Sequence, residues 1–300
     1  MSVIEQAARR LEQLATGGHA LACAPFRIPA EVADAVAGEP GKMLRPPSNG
    51  AERPAGRQGP LVTLDLQRIQ SSGHLVPSLD GSRLADEMRR IKRALIARAG
   101  ELATDRSRRN ALIMVTSALP SEGKTYCSIN LAMSVAMEVD TSVLLVDADV
   151  LKPALPERLG IAAARGLLDV LADPMLDLSS VLLRTNVPKL SILPTGTLSS
   201  RASELLGSAA MSRLLAEVAA RYTDRIVIFD APPLLLAPSA QMLAGRMGQV
   251  VMVVEASRTP RRAVAEAFAS VAHCPYVVSL LNKCEAGGEL SRGGYYPELQ

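Results

Sequence analysis

The chain has 300 residues, of which 48% are hydrophobic and 21% charged, enough to bury a core of domain size. Aromatic residues make up only 3%, with no Trp, so stacking platforms for single-stranded nucleic acid are scarce. The 33 basic side chains against 30 acidic ones are too balanced for a general polyanion binder, and no nucleic-acid partner is expected.

The first 110 residues carry a basic surplus of five and the remainder an acidic surplus of two. Residues 1–21 read as a docking segment: Ile4, Ala7, Ala8, Leu11, Leu14 and Ala15 share one helical face. Charges interrupt its apolar positions, unlike a signal peptide. Nowhere do 18 apolar residues run together, so no membrane-spanning helix is expected. Residues 22–60 hold seven Pro and five Gly, a linker composition for which disorder is expected. Leu61 to Leu66 is short enough either to pair as a strand or to clip onto the main domain. Residues 82–97 read as a helix with a stripe of Leu84, Met88, Ile91 and Leu95, flanked by Glu87, Arg90 and Arg93. The cysteines Cys23, Cys127, Cys274 and Cys284 lie far apart, which argues against a zinc site or disulfides and for a reduced cytoplasm.

From residue 111 onward, short apolar runs alternate with helical patterns. Strands are expected at 112–116, 143–146, 190–193, 226–229, 250–254 and 277–281, and helices at 125–138, 203–222 and 260–272. This alternation predicts an α/β domain over residues 61–284, with a mostly parallel sheet covered on both faces. A tail, 285–300, is Gly-rich before Tyr295 and Tyr296 and reads as a flexible tether.

The strongest local signal is the run from Ser117 to Thr125, SALPSEGKT, between the first apolar strand and a helix. Strand, loop and helix in that order suit a phosphate-binding loop, where backbone N–H groups converge on phosphate oxygens. Lys124 would reach the β and γ phosphates and Thr125 would ligate Mg²⁺. The general pattern has Gly where this chain has Ala118. Two later strands end in carboxylates, one at Asp147 and Asp149 and the other at Asp230. Ligands of open α/β sheets bind beyond the carboxyl ends of the strands, so the three motifs can meet at one crevice, and hard oxygen donors there suit Mg²⁺ on a nucleotide.

Together these motifs resemble the Walker A, A′ and B motifs of bacterial tyrosine kinases, a P-loop NTPase family. Glu87-Met-Arg-Arg90-Ile-Lys-Arg93 is similar to that family's ExxRxxR oligomerisation helix, and Tyr295-Tyr296 sit where it carries a C-terminal tyrosine cluster. The opening SVIEQAARRLEQL, the segment VTLDLQRIQSSGHLVP and the run RASELLGS look most like the exosortase-associated tyrosine autokinases of exopolysaccharide loci. The resemblance implies phosphoryl transfer from MgATP to Tyr295 and Tyr296, with Ser121, Glu122, Gly123, Lys124, Thr125, Tyr126 and Asn282 at the nucleotide. Thr125, Asp149 and, through water, Asp230 would hold Mg²⁺, and Asp147 would orient or deprotonate the tyrosine hydroxyl. Asn282 reads equally well as a turn residue. It further implies a homo-oligomer joined through Glu87, Arg90 and Arg93, a head-to-tail contact that closes a ring if its rotation allows. A transmembrane polysaccharide co-polymerase or chain-length regulator would activate it, giving a cytoplasmic location peripheral to the inner membrane.

The family usually has Gly or Asn where this chain has Ser121, and both tolerate positive φ better than Ser. Lys152 stands where Arg is usual. Two further readings are a ParA/MinD-like positioning ATPase, in which a second lysine is sought where Leu119 stands, and a weakly active nucleotide-binding scaffold.

Overall fold

The computed structural model describes residues 59–79, 81–100, 107–221 and 225–284. The docking segment, nearly all of the linker and the tail with Tyr295 and Tyr296 lie outside the described residues. Among those described, the strands are β1 (Leu61–Val62), β2 (Leu112–Ser117), β3 (Ser142–Asp147), β4 (Leu183–Thr185), β5 (Leu190–Leu193), β6 (Arg225–Asp230), β7 (Gln249–Glu255) and β8 (Val277–Asn282). They form one sheet in the order β1-β4-β5-β3-β6-β2-β7-β8. Every neighbouring pair is parallel except β4 and β5.

The central strands are apolar throughout because both of their faces are covered. Alternation along β2 sends Leu112 and Met114 to one face and Ile113 and Val115 to the other. On the first face they meet residues of α5 (Leu167–Ala172), α7 (Ala202–Gly207), α8 (Ala209–Arg221), α9 (Pro238–Ala244) and α10 (Arg261–Ser270), including Leu206, Leu214 and Leu243. On the second they meet α1 (Leu66–Ser71), α2 (Arg83–Gly100) and α3 (Lys124–Ala136) through Ile69, Leu95, Ile129 and Met133. Each such fully buried aliphatic side chain contributes about 1.5–3 kcal/mol. Two further short helices, α4 (Leu155–Leu159) and α6 (Leu178–Val181), complete the described elements of this kind.

Several expectations are narrowed or corrected. The segment from Leu61 pairs with β4 for two residues only, because Asp65 then caps α1, its carboxylate accepting the Arg68 N–H at 3.0 Å. The linker ends earlier than residue 60. The Pro60 carbonyl accepts the Arg184 N–H at 2.9 Å, and a Cβ on Gly59 would stand 1.8 Å from the Leu182 oxygen. The helix expected over 203–222 breaks at Ser208, whose extended backbone and hydroxyl end α7 and begin α8. The buried face of α2 is Ala85, Met88, Lys92 and Leu95, with Leu84 and Ile91 only partly buried. Lys92 is tolerated there because its ammonium donates to the Ser134 carbonyl at 2.7 Å and pairs with Glu138 at 2.7 Å, at the carbonyl end of α3. Among the described residues no helix is long and apolar enough to cross a membrane.

Candidate active site

Parallel strands bring the ends of β2, β3, β6 and β8 to one edge of the sheet. Beyond β2, residues 118–123 loop into α3. Two residues of this loop have left-handed backbone, Ser121 at φ 67° and Gly123 at φ 99°. Glycine adopts that conformation freely and serine does not. A Cβ at Gly123 would also lie 2.0 Å from Nδ2 of Asn282 and would displace that side chain from the loop.

Side chains brace the loop from beneath and beside. Glu122 is buried, and its carboxylate accepts the Leu119 N–H at 2.6 Å and the Thr259 hydroxyl. Asn282 donates to the Glu122 carbonyl at 2.9 Å, and Lys283 donates to the Ser121 carbonyl at 2.8 Å. The sequence reading of Glu122 as a nucleotide contact is therefore corrected for its side chain, which is spent inside the loop.

The carboxylates lie in a buried layer next to the loop. Asp147 and Asp230 are register partners on β3 and β6, and both are inaccessible to solvent. Asp230 accepts from the Ser128 hydroxyl through Oδ1 at 3.1 Å, while its Oδ2 has no hydrogen-bond partner. Asp147 accepts the backbone N–H groups of Asp149 and Leu155, each at 3.3 Å, and so shapes the turn that carries Asp149 and Lys152. Asp149 forms an ion pair with Lys124. No group of three or more His, Cys, Asp or Glu among the described residues can hold a metal by itself. The hard donors Thr125, Asp149 and the partnerless Asp230 oxygen instead fit a cation that takes its other ligands from phosphates and water.

These elements border a cleft of about 680 Å³. Of the residues predicted from sequence, Ser121, Gly123, Lys124, Thr125, Tyr126, Asp149 and Asn282 line it, whereas Glu122, Asp147 and Asp230 lie behind its wall. Tyr126 lines it while its hydroxyl donates to the Gly73 carbonyl at 2.9 Å and its ring stands 5.0 Å from that of His74. Glu87, Arg90 and Arg93 are exposed on α2 and do not line the cleft, and Glu87 pairs with Arg83 at 2.8 Å. Sequence reading missed Arg158, Leu236, Thr259 and Lys283. Only Lys283 carried a signal, its place next to Asn282.

Burial pushes Asp147 up to about 7, with the nearby Asp230 charge adding to the effect. Burial likewise raises Asp230 to about 6, against the opposing pull of Lys124 and the Thr125 hydroxyl. Both carboxyls hold a proton more tightly folded than unfolded. Their contribution to stability is therefore complete below about pH 4 and is lost as pH rises through 6 to 7. Without metal or nucleotide, the thermal midpoint is expected to fall between about pH 5 and 8, and Asp147→Asn to flatten that decline. Thermal melts across this range test it, and an unchanged slope in the variant would count against the assignment.

Over 187 residues the chain is 33% identical to the tyrosine-protein kinase YwqD of Bacillus subtilis, a match covering 61% of this chain and 76% of that protein. It is 33% identical over 144 residues to the tyrosine-protein kinase Wzc of Salmonella typhimurium, covering 48% of this chain and 20% of Wzc, so it spans about a fifth of that relative's length. The solved kinase domain of VpsO is 31% identical, with a TM-score of 0.52 over 66% of this chain and 98% of that domain. No family model matches the chain.

Proposed function

Because the chain belongs to the bacterial tyrosine kinases, by its 33% identity across 76% of YwqD, we propose that it transfers the γ-phosphoryl group of MgATP to tyrosine hydroxyls, with its own Tyr295 and Tyr296 as acceptors. The observation that carries this reading is the meeting, at one sheet edge, of a phosphate-type loop, the Lys124–Asp149 pair and a buried Asp230 oxygen with no partner. When bound, MgATP supplies the phosphoryl group and a divalent charge.

The chain's residues divide the remaining work. Loop N–H groups and Lys124 hold the phosphates and stabilise their charge, while the Thr125 hydroxyl, Asp149 and, through water, Asp230 would hold Mg²⁺. Asp147, the sequence candidate to orient or deprotonate the tyrosine hydroxyl, is buried behind the cleft wall with both oxygens on backbone N–H groups, so that role requires its turn to open, and in the described conformation it positions Asp149. A phenol is almost wholly protonated at neutral pH, so a placed carboxylate is useful to it. One N–H of the Asn282 amide is committed to the loop, which leaves its second N–H and its oxygen for the base.

The proposal extends to assembly and setting. Glu87, Arg90 and Arg93 are exposed on one helix, as a subunit contact requires, and a head-to-tail contact of this kind can close a ring. A transmembrane polysaccharide co-polymerase would bring the chain to the inner membrane and activate it, in control of exopolysaccharide or capsule synthesis. The exosortase-associated sub-type belongs to this proposal as well. The positioning-ATPase reading is disfavoured because Leu119, where that class would need its second lysine, packs against the core.

Incubation of the full chain with radiolabelled ATP, alone and with the cytoplasmic end of a candidate co-polymerase, tests the reading. Tyr295→Phe/Tyr296→Phe is expected to cut incorporated label at least about tenfold while leaving nucleotide binding intact. Phosphate release without any labelled protein would point to a positioning ATPase instead, and neither signal to a scaffold.

A further inference from the structure

We infer that Lys283, backed by Glu255, is a positioning residue for the phosphate loop: it holds the left-handed turn that the loop's own Ser121 disfavours. The inference rests on reading the cleft as a nucleotide site. Ser121 has φ 67°, in a region that L-residues with a Cβ occupy at a cost. The chain nevertheless keeps Ser there, so something outside the residue must favour that backbone.

Two donors from the end of β8 meet two successive loop carbonyls. Lys283 Nζ donates to the Ser121 carbonyl at 2.8 Å, and Asn282 Nδ2 donates to the Glu122 carbonyl at 2.9 Å. Because a trans peptide is planar, its C=O and N–H point in opposite directions. Fixing these two carbonyls therefore fixes the directions of the Glu122 and Gly123 N–H groups, which a phosphate oxygen must meet.

The ammonium is itself held. Its second partner is Glu255 Oε2 at 2.9 Å, and that hydrogen bond is the leading cause that keeps Glu255 below the usual carboxylate range. The Glu255 N–H donates to the Thr259 hydroxyl at 3.1 Å, which in turn donates to Glu122. A closed circuit thus runs from Ser121 through Lys283, Glu255 and Thr259 back to Glu122. Lys283 also has a left-handed backbone, φ 57°, in the turn that directs its side chain to the loop.

The test compares four full-length chains: wild type, K283M, S121G and the double variant S121G/K283M. Two quantities are read: the Kd for an MgATP analogue by calorimetry, and amide hydrogen exchange of residues 121–123 without nucleotide. K283M is expected to raise Kd about tenfold, or about 1.4 kcal/mol, and to speed loop exchange. Glycine reaches positive φ without help, so in the S121G background the same change is expected to cost less than about twofold. Equal effects of K283M in both backgrounds, or none in either, would overturn the inference, since a merely structural lysine ignores what stands at 121. If even the wild type fails to bind nucleotide, the kinase reading falls. The exchange data still decide whether Lys283 holds the loop.

Discussion

Lys124→Met is expected to reduce tyrosine phosphorylation at least about a thousandfold, the scale on which a charge aimed at a transferring phosphoryl group acts. The substitution keeps an unbranched stem of similar length and deletes the ammonium that meets Asp149. Asp149 is almost wholly buried, so it loses its charge partner in the free protein as well. A lower thermal midpoint is therefore expected alongside the lost activity. The K124M/D149N double variant separates the two effects, because it recovers stability without recovering phosphorylation. Mixing K124M with the Tyr295→Phe/Tyr296→Phe chain adds a further readout. Label on the K124M polypeptide alone indicates transfer between subunits, as the exposed α2 contact requires. Persistent labelling by K124M in isolation would remove the loop from the mechanism.

Asp230→Asn is expected to move activity and stability in opposite directions. The aspartate is fully buried at the end of β6, with a hydroxyl on one oxygen and no partner on the other. Asn keeps the volume and an acceptor for Ser128 but removes the charge. Phosphorylation at moderate Mg²⁺ should fall at least about a hundredfold, with partial recovery at high Mg²⁺, because a site with fewer anionic oxygens binds the cation more weakly. The metal-free protein should melt at a higher temperature at pH 8, where the native carboxylate is ionised and Lys124 and the nearby hydroxyls only partly offset the cost of its burial. Such an exchange of stability for function is common in sites built around buried charge. Equal loss at all Mg²⁺ concentrations, or a lower melting temperature, would argue that Asp230 is a structural residue.

The parts of this molecule that could be read from sequence obey local rules. Apolar runs such as 112–116 and 226–229, alternating with helical patterns, suit doubly covered strands, and a Gly-Lys-Thr between such a strand and a helical pattern suits a phosphate loop. Carboxylates at strand ends then gather at one sheet edge by topology alone. What sequence did not reveal depends on long-range partners. The antiparallel β4 has three residues and no distinctive pattern. Lys92 interrupts an apolar stripe, and only the end of α3 explains its burial. Glu122 looked like a ligand because it sits in the loop, but a hydroxyl 137 positions later claims its side chain. The same holds for Lys283, which is 162 positions from the carbonyl it meets. Ser121 is the intermediate case: a residue type unusual for its position gave warning, and the left-handed φ gives the reason.

The two residues of β1, with Pro60 before them, cover the otherwise open side of β4. Without that cover, β4 would offer unpaired N–H and C=O groups to any passing strand, the usual start of edge-to-edge aggregation. The junction between the stretch read as linker and the domain thus acts as a guard rail. A shortened protein beginning at Thr63 would be expected to precipitate or self-associate through that edge while its phosphate loop stayed intact.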